Sequence, residues 1–302
     1  VTITRLADDD VINLEESGQD QFISGTAKNA EVGSNVVVTL GGQTFKTTVE
    51  TGGVWTVTIP KDTFSAFGDG PLTATATVTN GRGNSGSAEY ELSVDTGVPG
   101  LRIDTVAGDD VINILEAQGD ITISGTSTGV AKGHDVTVTI TGMRDGVVET
   151  TTYTTQVNGD GRWSVIVPET DVSRWQNGEL SIVASAQNMS GNAGSSFGHL
   201  AQVDLNAVAV SIDPVTTDNV INAEERANGI TLTGSTSGIE VGQSVTVTFA
   251  GHEYQARVED DGSWHVDLST EDLASLRDGS ASVQVSVTSV NGNQADAGRQ
   301  YE

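Results

Sequence analysis

Three copies of one acidic motif, set about one small domain apart, constrain this chain more than any other feature. They are Asp9-Asp10-Val11-Ile12-Asn13-Leu14-Glu15-Glu16, Asp109-Asp110-Val111-Ile112-Asn113-Ile114-Leu115-Glu116 and Asp218-Asn219-Val220-Ile221-Asn222-Ala223-Glu224-Glu225. In each copy a pair of acid or amide side chains precedes Val-Ile-Asn, and a Glu follows that Asn by three residues. Self-similarity at a domain-sized period marks a tandem array rather than a single site.

Other stretches recur in the same order. Ile23-Ser24-Gly25-Thr26 returns as Ile123-Ser124-Gly125-Thr126, and Leu232-Thr233-Gly234 takes that place in the third copy. Trp55, Trp163 and Trp264 each follow a Gly-rich turn, and Asn80 to Asn84 returns as Asn188 to Asn192 and as Ser289 to Asn293. Leu72 to Thr79 alternates apolar and polar residues, and turn signals recur about every 8–12 residues, which is the pattern of an antiparallel sandwich. The expected fold is all-β: three tandem seven-stranded immunoglobulin-like β-sandwiches forming an elongated rod. The expected boundaries are 1–96, 97–204 and 205–302, with short links at Val94-Asp95 and Val203-Asp204. Such short links leave little room for free tumbling, and strands rising ~3.3 Å per residue extend the rod to roughly 100 Å. One helical turn is expected between Lys61 and Asp69.

Composition narrows the partners. Asp plus Glu number 41 against 14 Lys plus Arg, a net charge of −27. Nucleic acid needs a basic face, so it is excluded as a partner, as is an anionic membrane surface. The excess points instead to cations. With no Cys there is no disulfide or thiolate chemistry. No apolar run is long enough to span a membrane, and no leader opens the chain. Val1-Thr2-Ile3-Thr4 already reads as a strand, so the chain is expected to be a segment of a longer protein.

Asp218-Asn219-Val220-Ile221-Asn222, Asp261-Gly262-Ser263-Trp264, the Gly191-Asn192 and Gly292-Asn293 loops and the Val-Asp links resemble the tandem bacterial immunoglobulin-like repeats of giant type I-secreted adhesins and biofilm proteins. The resemblance covers essentially the whole chain. It implies a secreted, cell-surface, non-enzymatic protein that mediates or presents cell adhesion, monomeric within a longer chain. It also implies calcium bound at the junctions, and host-surface glycans or a receptor as further partners. The family loop often carries an acid where this chain has Asn80, Asn188 and Ser289.

The residues allow a separate reading of the cation. With an odd number of antiparallel strands, the chain enters and leaves each unit at opposite ends. If the acidic motif follows the first strand, it lies at the foot of its own unit and faces the top of the next. Asp9, Asp10, Asp95 and Asp160 are then expected at the first junction. Asp104, Asp109, Asp110, Asp204, Asp260 and Asp261 are expected at the second, and Asp213 and Asp218 at the far foot. Two carboxylates ~4 Å apart repel by about 4 kcal/mol at an effective dielectric of 20. Ca²⁺, with six to eight oxygen ligands in a flexible shell, would remove that repulsion. Zinc is disfavoured by the absence of Cys and by four scattered His, namely His134, His199, His252 and His265.

Plainer roles compete for the same residues. Asn13-x-x-Glu16, Asn113-x-x-Glu116 and Asn222-x-x-Glu225 match a capping box. Asp9, Asp109 and Asp218 suit turns, as do Asp160 and Asp261 before Gly. Trp55, Trp163 and Trp264, each with a Val or Ile-rich strand around it, suit core packing. Trp175 has no counterpart in the other units and is expected to be the more exposed ring. It carries the alternative reading of a carbohydrate-binding module array, and a passive spacer without specific ion binding is the third. The Gly-rich pieces follow strands and open no helix, so a phosphate loop is not expected.

Overall fold

The computed structural model describes residues 1–4, 6, 7 and 9–302. In the first unit the strands are β1 (Thr2–Ile3), β2 (Val11–Ile12), β3 (Gln21–Thr26), β4 (Asn35–Leu40), β5 (Gln43–Thr48), β6 (Val54–Ile59), β7 (Gly70–Thr79) and β8 (Ser85–Val94). They form a three-stranded sheet in the order β1-β3-β6 and a five-stranded sheet in the order β2-β8-β7-β4-β5. This is an immunoglobulin-like sandwich. Side chains alternate in and out along the strands, as Val36, Val38 and Leu40 of β4 do, and the inward set forms the core.

The smaller sheet returns twice, whereas the larger has six strands in the second unit, where the last strand is interrupted as Ala193–Ser195 and His199–Val203, and four in the third. Gly100–Ile103, Ile121–Thr128 and Arg162–Val167 make the smaller sheet of the second unit. Ala209–Val210, Ile230–Ser237 and Ser263–Leu268 make that of the third. Three apolar clusters fill the chain in order, from Leu6 to Val94, from Ile103 to Val203 and from Ile212 to Tyr301.

The departure from the expected seven strands that bears on the acidic motifs is at the first strand. The first strand is split. β1 pairs antiparallel with β3, and the chain then crosses to the other sheet, where β2 runs parallel to β8. The acidic pair lies in that crossing. The second member of each pair is left-handed, with φ of 68° at Asp10, 64° at Asp110 and 63° at Asn219. Asp and Asn tolerate this conformation better than other side chains do. The helical turn expected between Lys61 and Asp69 is a run of hydrogen-bonded turns that buries Phe64.

Trp55, Trp163 and Trp264 are 0, 3 and 0% exposed, so the core-packing reading is correct for all three. Each ring lies against a glycine of the neighbouring strand, where a side chain has no room. A Cβ on Gly125 would fall 2.0 Å from the Arg102 carbonyl oxygen and 2.4 Å from Trp163 Cζ2, and Gly25 and Gly234 are as tightly enclosed. Trp175, expected to be exposed, is 2% exposed. It sits under the lengthened hairpin of the second unit, with the Arg144 guanidinium 5.5 Å from its ring centroid. Arg144 is itself buried, donates to Thr151 Oγ1 at 2.8 Å and lies 4.0 Å from Asp171.

Gly125→Ala should therefore destabilise the second unit by about 1–3 kcal/mol, the usual cost of overpacking. Chemical denaturation should show one lowered transition, with Trp163 fluorescence reporting it.

Candidate functional site

The paired acids brace the strand crossing. Asp9 Oδ1 accepts from the Val11 amide at 3.0 Å, Asp109 Oδ1 from Val111 at 2.9 Å and Asp218 Oδ1 from Val220 at 3.1 Å. The second side chain reaches back four residues, so that Asp10 accepts from the Leu6 amide, Asp110 from Val106 and Asn219 from Val215. Tyr90 Oη donates to Asp10 at 2.8 Å, and His199 Nε2 donates to Asp110 at 2.7 Å. Burial pushes the Asp110 carboxyl up, but the Val106 amide and His199 outweigh it and hold it below the ordinary aspartate range.

These contacts correct the expected placement. Asp9, Asp10, Asp109, Asp110 and Asp218 lie along the flank of their own units, where the first strand changes sheets, and not at a junction. Asp104 and Asp213 are also internal, at the end of that strand's first half. Asp104 Oδ2 accepts from Ser124 Oγ at 3.1 Å and lies 3.8 Å from the Arg162 guanidinium, and Asp213 Oδ2 accepts from Thr233 Oγ1 at 2.7 Å. Asp160, Asp260 and Asp261 are exposed in the turns at the tops of their units. Their end of the unit agrees with strand parity, but Asp160 accepts from Arg162 of its own turn and Asp261 from Ser263. Among the described residues no three His, Cys, Asp or Glu side chains converge closely enough to hold one metal ion.

Of the twelve aspartates, the structure brings Asp95 and Asp204 into the junctions. The foot of each unit is the Asn-x-x-Glu end of the motif. Asn13 caps a short helix, α1 (Leu14–Ser17), in a reciprocal capping box with Glu16, and Asn222 does the same with Glu225. Asn113 and Glu116 exchange the same two bonds at 3.1 Å each. The top of each following unit is the Gly-Asn loop.

At the first junction Asn192, 3% exposed, spans the gap. Its Oδ1 accepts from the Leu14 amide at 2.7 Å, and its Nδ2 donates to the carbonyls of Asp95 at 2.7 Å and Gly97 at 3.0 Å. Asp95 Oδ2 accepts from Ser190 Oγ at 2.6 Å and Asn188 Nδ2 at 3.3 Å. Asp69, at the foot of the first unit, takes the Thr96 amide at 2.9 Å and the Thr96 hydroxyl at 2.8 Å on Oδ1. Those bonds hold its carboxyl below the ordinary range.

At the second junction Asn293, 2% exposed, makes the same bridge. It accepts from the Ile114 amide at 2.8 Å and donates to the Asp204 carbonyl at 3.0 Å. Asn291 Nδ2 donates to Asp204 Oδ2 at 2.5 Å, and Asn206 donates to Asp204 Oδ1 through both its backbone and its side chain. Burial pushes the Asp204 carboxyl up, but Asn291 and Asn206 more than offset it and the group titrates below the ordinary range. Asn177 stands where the first junction has Asp69, and its Oδ1 accepts from the Leu205 amide at 2.6 Å.

Sequence reasoning missed Asp69, Asn177, Asn192, Asn293 and the donors on Asp95 and Asp204. The recurrence of the Gly-Asn loop was the available signal for the asparagines. Asp69-Gly70, Asn177-Gly178 and Asp278-Gly279, each just before a long strand, were the signal for the others.

No family model matches the chain, and no curated protein does. Solved structures do. One, from a study of host cell surface retention of a 1.5-MDa bacterial ice-binding adhesin, is 30% identical over 99% of this chain and 95% of its own, with a TM-score of 0.50. Another, a Ca²⁺-stabilised adhesin with which an Antarctic bacterium binds ice, is 30% identical over 99% of this chain and 72% of its own, with a TM-score of 0.49.

Two outcomes follow for the junctions. Asn293→Ala leaves the Ile114 amide and the Asp204 carbonyl without their partner, at a cost of about 1–3 kcal/mol. Small-angle scattering should show a broader distribution of inter-unit angles with all three sandwiches still folded. Asp69 and Asp204 are depressed in the folded chain, so the stabilisation they supply is present above the ordinary value of 3.8 and is lost as pH falls through their lower folded values. Scattering profiles recorded from neutral pH downward should stay constant until that range and then loosen.

Proposed function

The chain belongs to the immunoglobulin-like repeat segments of large bacterial adhesins, and from that membership we propose that it is an extender on the cell surface. In this reading it is divided at 1–96, 97–204 and 205–302, and it holds a length of adhesin stiff between the parts that flank it. It catalyses no reaction. The observation that carries the reading is the pair of buried carboxamides, Asn192 and Asn293. Each ties the foot of one unit, the link and the top of the next into one hydrogen-bonded set. A tether built for free rotation would leave those groups to water. The carbohydrate-binding alternative rested on an exposed Trp175, and that ring is buried.

Calcium enters at the first junction. Asp69 and Asp95 border one opening beside Gly97, where a Cβ would lie 3.3 Å from Asp95 Oδ1 and 3.9 Å from Asp69 Oδ2. Two carboxylates facing one gap suit a hard divalent cation, which takes oxygen ligands and, when bound, neutralises their mutual repulsion. Asp69 and Asp95 would hold it. The small number of charged ligands places the affinity in the range of extracellular modules, on the order of 10⁻⁴–10⁻³ M. Asp9, Asp10, Asp104, Asp109, Asp110, Asp160, Asp213, Asp218, Asp260 and Asp261 are left to turns and strand crossings.

Calorimetric titration of the chain with calcium tests this directly. Weak binding is expected in the low-millimolar range and should disappear in Asp69→Asn and in Asp95→Asn. Full retention of binding in both variants would move the ion elsewhere, and a scattering profile of freely jointed units would sink the extender reading itself.

A further inference from the structure

The two junctions share a frame but differ at two facing positions. Where the first has Asp69 opposite Gly97, the second has Asn177 opposite Asn206. We infer that the second junction is a metal-independent joint, in which the side-chain amide of Asn206 fills the place left open for a cation at the first.

The hydrogen-bond directions are determined from the backbone outward. The Leu205 amide can only donate, so Asn177 must present Oδ1 to it at 2.6 Å. Asn177 then presents its Nδ2, which donates to Asn206 Oδ1 at 2.8 Å. Asn206 in turn presents Nδ2 to Asp204 Oδ1 at 2.6 Å, while its backbone amide donates to the same oxygen at 3.0 Å. Asn291 Nδ2 occupies the other carboxylate oxygen at 2.5 Å. Amides offer both a donor and an acceptor, so a closed relay of this kind is available to them and not to carboxylates.

The relay leaves no room for calcium chemistry. A calcium ion takes six to eight oxygens. Asp204 has N–H donors on both oxygens, as Asp95 has at the first junction, so the difference lies in the second carboxylate: the first junction has Asp69, whereas the second has amides, and the oxygens of Asn177, Asn206 and Asn293 are engaged by Leu205, Asn177 and Ile114. The negative charge of Asp204 is already met by charge-assisted hydrogen bonds, which are the stronger kind. At the first junction residue 97 is glycine, so no side chain stands between Asp95 Oδ1, which accepts from the Gly97 amide at 3.2 Å, and Asp69 Oδ2, whose partner oxygen Oδ1 takes both Thr96 bonds. The inference rests on the calcium reading of that first junction only for the contrast, and its test separates the two.

The chain has no Cys, so engineered cysteines label it cleanly. One pair, Lys46→Cys with Thr154→Cys, spans the first junction. A second, Thr154→Cys with Glu253→Cys, spans the second. All three positions are exposed on strands. Pulsed electron-paramagnetic-resonance distances on the full chain are then compared in millimolar calcium and in chelator. The second pair should give one distribution, unchanged in width and mean. Asn291→Ala should broaden it equally in both conditions. The double variant Asn177→Asp/Asn206→Gly, which copies the first junction, should make it broad in chelator and narrow in calcium. Narrowing of the unaltered second junction by calcium overturns the inference, as does a double variant that stays narrow in chelator. A first junction indifferent to calcium overturns the calcium proposal instead and leaves the amide joint standing. Circular dichroism of each variant separates loss of the joint from loss of a fold.

Discussion

A buried asparagine carboxamide at each junction is the contact on which the placement of the units depends. It must accept on one side, from the amide that begins the foot turn, and donate on the other, to carbonyls of the link. A carboxylate there would set negative charge against carbonyl oxygens, and a hydroxyl could not span the gap. The loop that presents the asparagine is braced from within. Asn188 Oδ1 accepts from the amides of Ser190 and Asn192, and Ser289 Oγ accepts from the Asn293 amide. That brace needs only an acceptor. Because Asn188 supplies it as an amide, its Nδ2 remains free to donate to Asp95 and to the Gly97 carbonyl. An acid in the same place would face Asp95 as a like charge.

The foot turn reaches the junction because the first strand changes sheets above it. Crossing between sheets leaves backbone amides without ladder partners, and unpaired buried amides are costly. The second acid or amide of each motif supplies the missing acceptor to Leu6, Val106 or Val215, and its left-handed backbone turns the chain toward the last strand. Neutral and ionised partners serve this site equally well. Tyr90 and His199 donate to the aspartates, while Asn219 donates its own amide to the Gln300 carbonyl. A position that accepts Asp or Asn in different units is one whose bracing role needs only a side-chain acceptor.

Period-two alternation, the turn glycines and the recurring tryptophans carried the fold class, because burial along a sandwich strand follows directly from which residues are apolar. Asn13-x-x-Glu16 and its copies carried the capping boxes for a similar reason: the bonding partners are neighbours in the chain. The placement of Asp9-Asp10 and its copies failed because strand parity counts whole strands, and a strand that joins both sheets moves every residue in its crossing up the unit. Trp175 failed because its cover comes from Arg144 and an extended hairpin peculiar to the second unit, a contact 31 positions away in sequence. Asp69 and Asn177 are harder still. Their recurrence before Gly at the start of a long strand marks an equivalent position in each unit but does not place it at a junction, since the amides they bind belong to Thr96 and Leu205, well along the chain.

Charge and joint chemistry act on different lengths. The net charge of −27 is spread over units that carry many more acids than bases. At physiological ionic strength such repulsion is screened beyond about 8 Å, so it acts between neighbouring surfaces and opposes any folding back of one unit against the next. It cannot choose an angle, because it falls off smoothly with separation. The angle is chosen by hydrogen bonds that exist in one geometry only, such as the Asn192 and Asn293 bridges. Neutral amides are suited to that task in so acidic a chain, since each one added to a junction contributes donors without adding to the repulsion that a carboxylate would increase. Where two carboxylates are kept together, as with Asp69 beside Asp95, the proposed calcium would balance the charge that their hydrogen bonds leave, and the joint would then respond to the cations around it.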